Sequence, residues 1–224
     1  MRLSRSPVLE ALLPSDRSVL LGRAVSRRLT RGERLYVAGD SGNRLHLVVR
    51  GALKLTGADA RGNETILFLA LPGDLVGDVA AVDGRPQPLD AVAASPVTAL
   101  GLDAELFAAA LHRSAPAALE VARQLANRIR WMSTTAVERR TAAVPARLAG
   151  RLLDLAQVLG HQHGDAVELQ LPLGQRDLGR LAGMCRESTC KTLRSFRSQG
   201  LVEYRGRRLR ILRPDALRRI RSGG

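Results

Sequence analysis

Between residues 26 and 102 the apolar positions come in short runs, Arg34 to Val37, Arg44 to Val49, Ala52 to Thr56, Thr65 to Ala70 and Ala91 to Leu100. Glycine turns cut these runs apart, at Gly32, Gly39-Asp40, Gly42, Gly51, Gly57, Gly62-Asn63, Gly73-Asp74 and Gly77. Asn or Asp beside Gly supplies the positive φ of a tight turn, so the pattern predicts many short antiparallel strands closing a sandwich or barrel. From Asp103 the period lengthens: Asp103-Ala-Glu-Leu-Phe starts a short helix, and after Pro116 a turn-free run reaches about Glu138. Within it Ala118, Ala122, Leu125, Ile129, Met132 and Ala136 alternate spacings of four and three, the seam of a two-stranded coiled coil. Gln124, Asn127, Arg128 and Arg130 fall off that seam. The seam predicts a symmetric dimer; the alternative is a stripe packed on the chain's own β domain.

Pro145 opens a second helical run, Arg147 to Leu159, closed by Gly160. His161-Gln162-His163-Gly164 reads as a polar loop and Val167 to Leu171 as a short strand. Two helices come next, Gln175 to Ala182 and Arg186 to Ser198, separated by Gly183-Met184-Cys185; then Leu201 to Tyr204 and Arg208 to Leu212 flank a tight Arg205-Gly206-Arg207 turn. Two short helices, a three-residue turn with Gly and a β-hairpin make a winged helix-turn-helix. Leu178, Leu181, Ala182, Thr189 and Leu193 face inward, leaving Arg186, Glu187 and Lys191 outward with Ser188 beside them. Arg186 at the helix N-terminus can reach guanine O6 and N7 together, Glu187 can accept from a cytosine amino group, and Lys191 can reach a guanine or a phosphate.

Charge sharpens this picture. The 224 residues carry a net charge of +14, and residues 139–224 alone hold 18 basic against 7 acidic residues, net +11. A segment so unbalanced suits a polyanion, because each cation placed on a phosphate releases condensed counterions. At 45% hydrophobic residues the chain is expected to fold as one large domain or two small ones, neither disordered nor membrane-spanning. The least interrupted apolar stretch, Ala91 to Leu102, contains Ser95, Pro96, Thr98 and Gly101 and falls far short of the roughly 18 to 20 apolar residues of a spanning helix. Arg2 and Arg5 precede no signal-peptide core, since Glu10, Pro14, Asp16 and Arg17 interrupt the apolar residues after them, so a cytoplasmic protein is expected.

Cys185 and Cys190 are too few for a four-thiolate site or a disulfide framework, and lie about 140° apart around one helix, so they cannot bridge. Cys185 stands where a Ser would cap the second helix, and beside Arg186 its pKa should be lowered. His46, His112, His161 and His163 read as structural or surface residues, and no metal site is expected. No phosphate-cradling Gly loop, nucleophile elbow or metal-ligand cluster appears, so no enzyme is expected. Asp78, Asp83 and Asp90 read as solvated.

The segment Gly183-Met-Cys-Arg-Glu-Ser-Thr, with Gly32-Glu-Arg-Leu-Tyr36, Gly39-Asp40, Leu45-His-Leu-Val, Gly51-Ala-Leu-Lys-Leu, Gly62-Asn-Glu64 and Pro72-Gly-Asp74, resembles the CRP/FNR family of bacterial transcription regulators over nearly the whole chain. The resemblance implies an α+β protein: an N-terminal antiparallel β-roll similar to a cyclic-nucleotide-binding domain (1–112), a dimerisation helix and hinge (113–140) and a winged helix-turn-helix DNA-binding domain (141–224). It implies a homodimer on palindromic DNA with TGTGA-type half-sites about one helical turn apart, and contacts to RNA polymerase. Members that bind cyclic AMP hold the ribose with a Gly-Glu pair and the phosphate with an Arg-Ser pair. Here those positions resemble Gly77-Asp78 and Gln87-Pro88, so the bidentate cation is lost and phosphate binding should weaken at least ten- to a hundred-fold. Arg85, two residues away, would replace that cation only in the alternative, cyclic-AMP-dependent reading, and the family's adenine-contacting hydroxyls align with Met132 and Ser133, so one hydroxyl is kept and one lost. The expectation is a regulator that does not respond to cyclic AMP in the usual way, with no cofactor certain. The alternatives are a cyclic-AMP-dependent regulator with a divergent cassette, and a ligand-binding module whose basic domain contacts RNA or protein.

Overall fold

A computed structural model describes residues 6–59, 62 and 64–223. Arg2, Arg5 and Asn63 lie outside the described residues. The chain divides into two compact units, Met1–Arg130 and Trp131–Gly224.

The first unit opens with two helices that start on prolines, α1 (Pro7–Ala11) and α2 (Pro14–Gly22). Pro at a helix start gives up an N–H that has no intrahelical partner anyway. Eight strands come next, β1 (Val25–Leu29), β2 (Arg34–Tyr36), β3 (Arg44–Arg50), β4 (Leu53–Ala58), β5 (Glu64–Ala70), β6 (Leu75–Val76), β7 (Asp90–Ala93) and β8 (Val97–Asp103), with helix α3 (Asp78–Asp83) between β6 and β7. They form two antiparallel four-stranded sheets, ordered β1-β8-β3-β6 and β2-β7-β4-β5. The alternating faces of β3 show why this chain needs both sheets and helices. Val48 points into a core between the sheets, with Leu29, Leu35, Leu53, Leu55 and Val97. Leu45 and Leu47 point the other way, onto Val8, Leu12, Leu20 and Phe107 of the helical layer. Phe107 belongs to α4 (Ala104–Arg113), whose N-cap Asp103 accepts a hydrogen bond from the Leu106 N–H. The inward stripe of the long helix α5 (Ala115–Thr141) adds Ala117 and Val121 to the same core.

The second unit takes the last turns of α5, then α6 (Val144–Leu159), a hairpin of β9 (Gly160–His163) and β10 (Ala166–Gln170), α7 (Gln175–Ala182), α8 (Arg186–Ser198), a hairpin of β11 (Val202–Arg205) and β12 (Arg208–Ile211), and α9 (Pro214–Ser222). Its sheet is antiparallel, ordered β11-β12-β10-β9. Leu148, Leu152, Leu169, Leu178, Leu209 and Leu217 are fully buried there. The fold is α+β, with antiparallel sheets first, a long helix and a C-terminal helix-turn-helix with a small sheet.

Three expectations change. The single strand from Ala91 to Leu100 is two strands, broken at Ala94–Pro96, where the Ser95 hydroxyl accepts the Ala52 N–H. His161 to His163 is strand rather than loop: the polar segment pairs with β10, His161 opposite Glu168 and His163 opposite Ala166. The helical run expected from Arg147 begins at Val144, with Pro145 in its first turn. Among the described residues no helix is long and apolar enough to cross a membrane.

Candidate nucleic-acid interface and effector pocket

The helix-turn-helix rests on two glycines, Gly183, which the sequence marks as the turn, and Gly179, which lies inside α7. Gly183 caps α7 with φ +65°, the left-handed region that a side chain disfavours, and a Cβ there would lie 2.7 Å from Arg139 Nε. Gly179 lets the helices cross closely, since a Cβ would lie 2.4 Å from Thr189 Oγ1. Arg147 donates to the Gly183 carbonyl at 3.0 Å and Arg139 to the Arg180 carbonyl at 3.5 Å, so two cations satisfy the C-terminal carbonyls of α7. Burial, with Arg147 and Arg151 nearby, lowers the Arg139 pKa.

Helix α8 buries Thr189, Thr192, Leu193 and Phe196. Its opposite face presents Arg186, Glu187 and Lys191 to solvent, with Ser188 half-buried. Arg194 is exposed one turn further on, and Gln175 and Arg176 are exposed at the start of α7. Arg205 and Arg208 are exposed on the hairpin. Cys185 is the N-cap of α8: the Ser188 N–H donates to its sulfur at 3.5 Å, and Sγ lies 3.2 Å from Ser188 Oγ. Its thiol pKa is lowered as expected, but the cause differs: hydrogen bonding from the Ser188 hydroxyl, then from the Ser188 N–H, holds it down rather than Arg186. Both cysteines are free thiols.

A buried charge network that sequence patterns did not reveal anchors this unit. Arg151 is 2% exposed, lies 5.1 Å over the Trp131 ring, and donates to Thr135 Oγ1 and to Glu138. Asp154 pairs with both Arg151 and Arg221, and Arg221 also reaches Glu138. The network ties the end of α5 to α6 and α9. The one sequence signal was the i,i+3 spacing of Arg151 and Asp154.

In the first unit, Gly77 turns the chain with φ +78° into α3 and places Asp78 in its first turn. Asp78 is 2% exposed, so its reading as a solvated carboxylate is corrected. Arg128 Nη1 donates to both its oxygens, at 2.8 and 2.9 Å, and Nη2 donates to the Leu75 carbonyl. The guanidinium lies 5.1 Å over the Phe68 ring. Burying the carboxylate demands such a partner, because an uncompensated charge in a dry site is costly. Asp90 is likewise only part-solvated, accepting the Ala38 N–H at 2.7 Å, whereas Asp83 is exposed. Arg128 of α5, which holds the cassette carboxylate, is the residue that sequence reasoning passed over as an off-seam polar position, since nothing local ties it to Asp78, 50 residues away.

Gln87 is 4% exposed and packs toward Gly77, where a Cβ would meet its Nε2 at 3.1 Å. Arg85 and Pro88 are exposed. The Tyr36 hydroxyl bonds the Gly77 backbone, and burial first, then the Asp78 charge, push its pKa upward. Met132 and Ser133 are exposed and belong to the second unit. Along α5, Ala118, Ala122 and Ala136 are exposed, Ile129 is 64% exposed, and Leu119 and Val137 extend the apolar stripe, whereas Leu125 is half-buried against its own core. No group of three or more metal-ligating side chains occurs among the described residues.

Residues 26–114 match the cyclic nucleotide-binding domain family and residues 146–220 the Crp-like helix-turn-helix domain family. A CRP-like cAMP-activated global transcriptional regulator of Mycobacterium tuberculosis is 26% identical over 217 residues, covering 97% of both chains. The cyclic AMP receptor protein of Thermus thermophilus is 29% identical over 201 residues, covering 88% of each. Among solved structures, FixK2 of Bradyrhizobium japonicum superposes with a TM-score of 0.78 at 20% identity, covering 88% of this chain and 96% of its own, which speaks to fold alone.

Proposed function

Because the chain belongs to the CRP/FNR family, non-enzymatic transcription regulators that bind DNA through a helix-turn-helix, we propose that it works as a homodimer reading a palindrome of TGTGA-type half-sites about one helical turn apart. In this reading residues 1–112 are the effector-type roll, 113–140 the dimerisation helix and hinge, and 141–224 the DNA-binding domain. The dimer seam is Ala118, Ala122, Leu125, Ile129, Met132 and Ala136, and the exposed apolar stripe on α5 supports it. Arg186 reads a guanine, Glu187 a cytosine amino group, and Ser188 and Lys191 complete the contact.

One observation carries the reading: the first turns of α8 expose Arg186, Glu187 and Lys191 while Thr189 and Leu193, between and beyond them, are buried. A helix held by one face and charged on the other is a groove-reading element rather than a solvated ornament, and the net +11 of residues 139–224 supplies the phosphate attraction. The dimer works in the cytoplasm and contacts RNA polymerase when bound. Fluorescence anisotropy with Arg186→Ala tests the assignment: selectivity at one base pair per half-site should relax, whereas a uniform loss on all sequences would reject direct readout by Arg186.

The protein does not respond to cyclic AMP in the usual way. Gln87 stands in place of the phosphate-binding cation, and Asp78, the ribose-side carboxylate, is already paired with Arg128. A cyclic-AMP-dependent mode is the second reading, favoured by the two relatives named for that nucleotide, with Arg85 or backbone donors in place of the missing Arg.

A further inference from the structure

The last turns of α5, which belong to the second unit, carry two faces. Met132 and Ala136 are exposed and lie on the proposed dimer seam. Trp131, Thr135, Glu138 and Arg139, spaced i, i+4, i+7 and i+8, share a neighbouring stripe, and each has a partner beyond the two-residue link Ala142-Ala143 that joins α5 to α6. Arg151 of α6 meets the first three: its guanidinium lies over the Trp131 ring and donates to Thr135 Oγ1 at 3.1 Å and to Glu138. Arg221 of α9 also reaches Glu138, at 3.4 Å. Arg139 donates to the Arg180 carbonyl at the end of α7 and lies against Gly183 in the turn before α8.

A joint bends only by breaking the contacts that span it. Bending here would take Thr135 and Glu138 from a guanidinium that is 2% exposed, leaving it Asp154 of its own helix, and burying a charge so poorly compensated is costly. The short link also leaves little backbone to absorb a change of angle. We propose that Arg151 is a positioning residue for DNA recognition: through Trp131, Thr135 and Glu138 it fixes the helix-turn-helix to the last turns of α5, and so sets the half-site spacing that the dimer accepts. This rests on the palindrome-reading homodimer proposed above. The bases of each half-site are read by Arg186, Glu187 and Lys191 on α8, whereas the separation of the half-sites is read by the joint. One base pair added between half-sites turns one of them by about 34° around the duplex axis and moves it about 3.4 Å, a change that a free joint follows and a fixed one resists.

The test titrates the full chain by anisotropy, at fixed salt, with four duplexes: the TGTGA-type palindrome, the same palindrome with one base pair inserted at its centre, a single half-site and a scrambled duplex. The parent should bind the inserted palindrome at least about ten-fold more weakly, since the duplex must be deformed to fit. Arg151→Met with Glu138→Gln removes both charges, while Thr135 keeps its bond to the Trp131 carbonyl and Arg221 its bond to Asp154, so circular dichroism should match the parent. In this double variant the insertion penalty should shrink to near unity with half-site affinity unchanged. Glu138→Leu, which leaves both Arg151 and Arg221 paired with Asp154, cuts the same tie by a second route and should also lower the penalty. An unchanged penalty in the variants that fold, or a parent that selects the palindrome but ignores the insertion, overturns the proposal. A fall in half-site affinity as large as that for the palindrome marks Arg151 as structural and overturns it too. A parent that binds palindrome and scrambled duplex alike removes the reading beneath the proposal, and the proposal with it.

Discussion

Replacing Arg128 with Met probes the cassette most sharply. The side chain of Asp78 is 2% exposed and that of Arg128 14%, and the two hydrogen bonds, 2.8 and 2.9 Å, go to both carboxylate oxygens. An exposed ion pair of this kind contributes about 0–1 kcal/mol. Removing one partner of a buried pair strands the other charge and costs about 3–5 kcal/mol. Met keeps the apolar bulk over Phe68, so the loss belongs to the guanidinium: chiefly its charge opposite Asp78, with its hydrogen bond to the Leu75 carbonyl and its place over the Phe68 ring lost as well. At an m-value of about 2 kcal/mol/M the urea midpoint should fall by roughly 2 M, read by circular dichroism. The double variant Asp78→Asn with Arg128→Met removes both charges and should recover most of that loss, giving a strong coupling in the double-mutant cycle. A loss under about 1 kcal/mol, or strict additivity, would mean that the pair is solvated and that Asp78 is free for a ligand.

Three further outcomes test other parts of the molecule. Gly179→Ala pushes a Cβ to 2.4 Å from Thr189 Oγ1 and 3.0 Å from the Met184 carbonyl, and should cost roughly 1–3 kcal/mol in thermal denaturation while loosening the helix-turn-helix. His46, with its folded pKa near 4 against 6.5, binds a proton more weakly in the folded state, so its contribution is complete above pH 6.5 and is lost as pH falls toward 4. The span amounts to about 3 kcal/mol at most, and His46→Gln should flatten the stability–pH slope between those values. Ile129→Glu, on a residue 64% exposed in the single chain, should leave thermal stability of isolated protomers unchanged yet produce monomers in sedimentation; an intact dimer would move the seam elsewhere.

Much of the helix-turn-helix was legible because local chemistry and tertiary structure agree there. The bounds of α7 and α8 fall where Gly183 and the Cys185 cap put them, and the inward set Leu178, Leu181, Ala182, Thr189 and Leu193 is buried. The β domain was readable where turns carry Gly beside Asp, as at Gly39-Asp40 between β2 and β3 and at Gly73-Asp74 between β5 and β6. β1 escaped notice because its sequence is Val-Ser-Arg-Arg-Leu and only Leu29 is buried; pairing to β8, not an apolar face, makes it a strand. His161 and His163 were missed for the same reason. α9 hides among arginines, with Leu217 its one fully buried residue. Asp78 was misread because its partner Arg128 lies 50 residues away, a distance no local pattern spans. The Arg151 network is equally non-local, joining α5, α6 and α9.

The most direct test of a DNA-reading dimer with a silent cyclic-AMP cassette is one anisotropy titration. A TGTGA-type palindromic duplex and a scrambled duplex are titrated at fixed salt, with and without cyclic AMP. Binding to the palindrome should be tight, and weaker by at least about 10³-fold on the scrambled duplex, with the same constants whether or not the nucleotide is present. Equal binding to both duplexes would contradict sequence reading by α8, and selectivity that appears only with cyclic AMP would contradict the reading of Gln87 and of the Asp78–Arg128 pair.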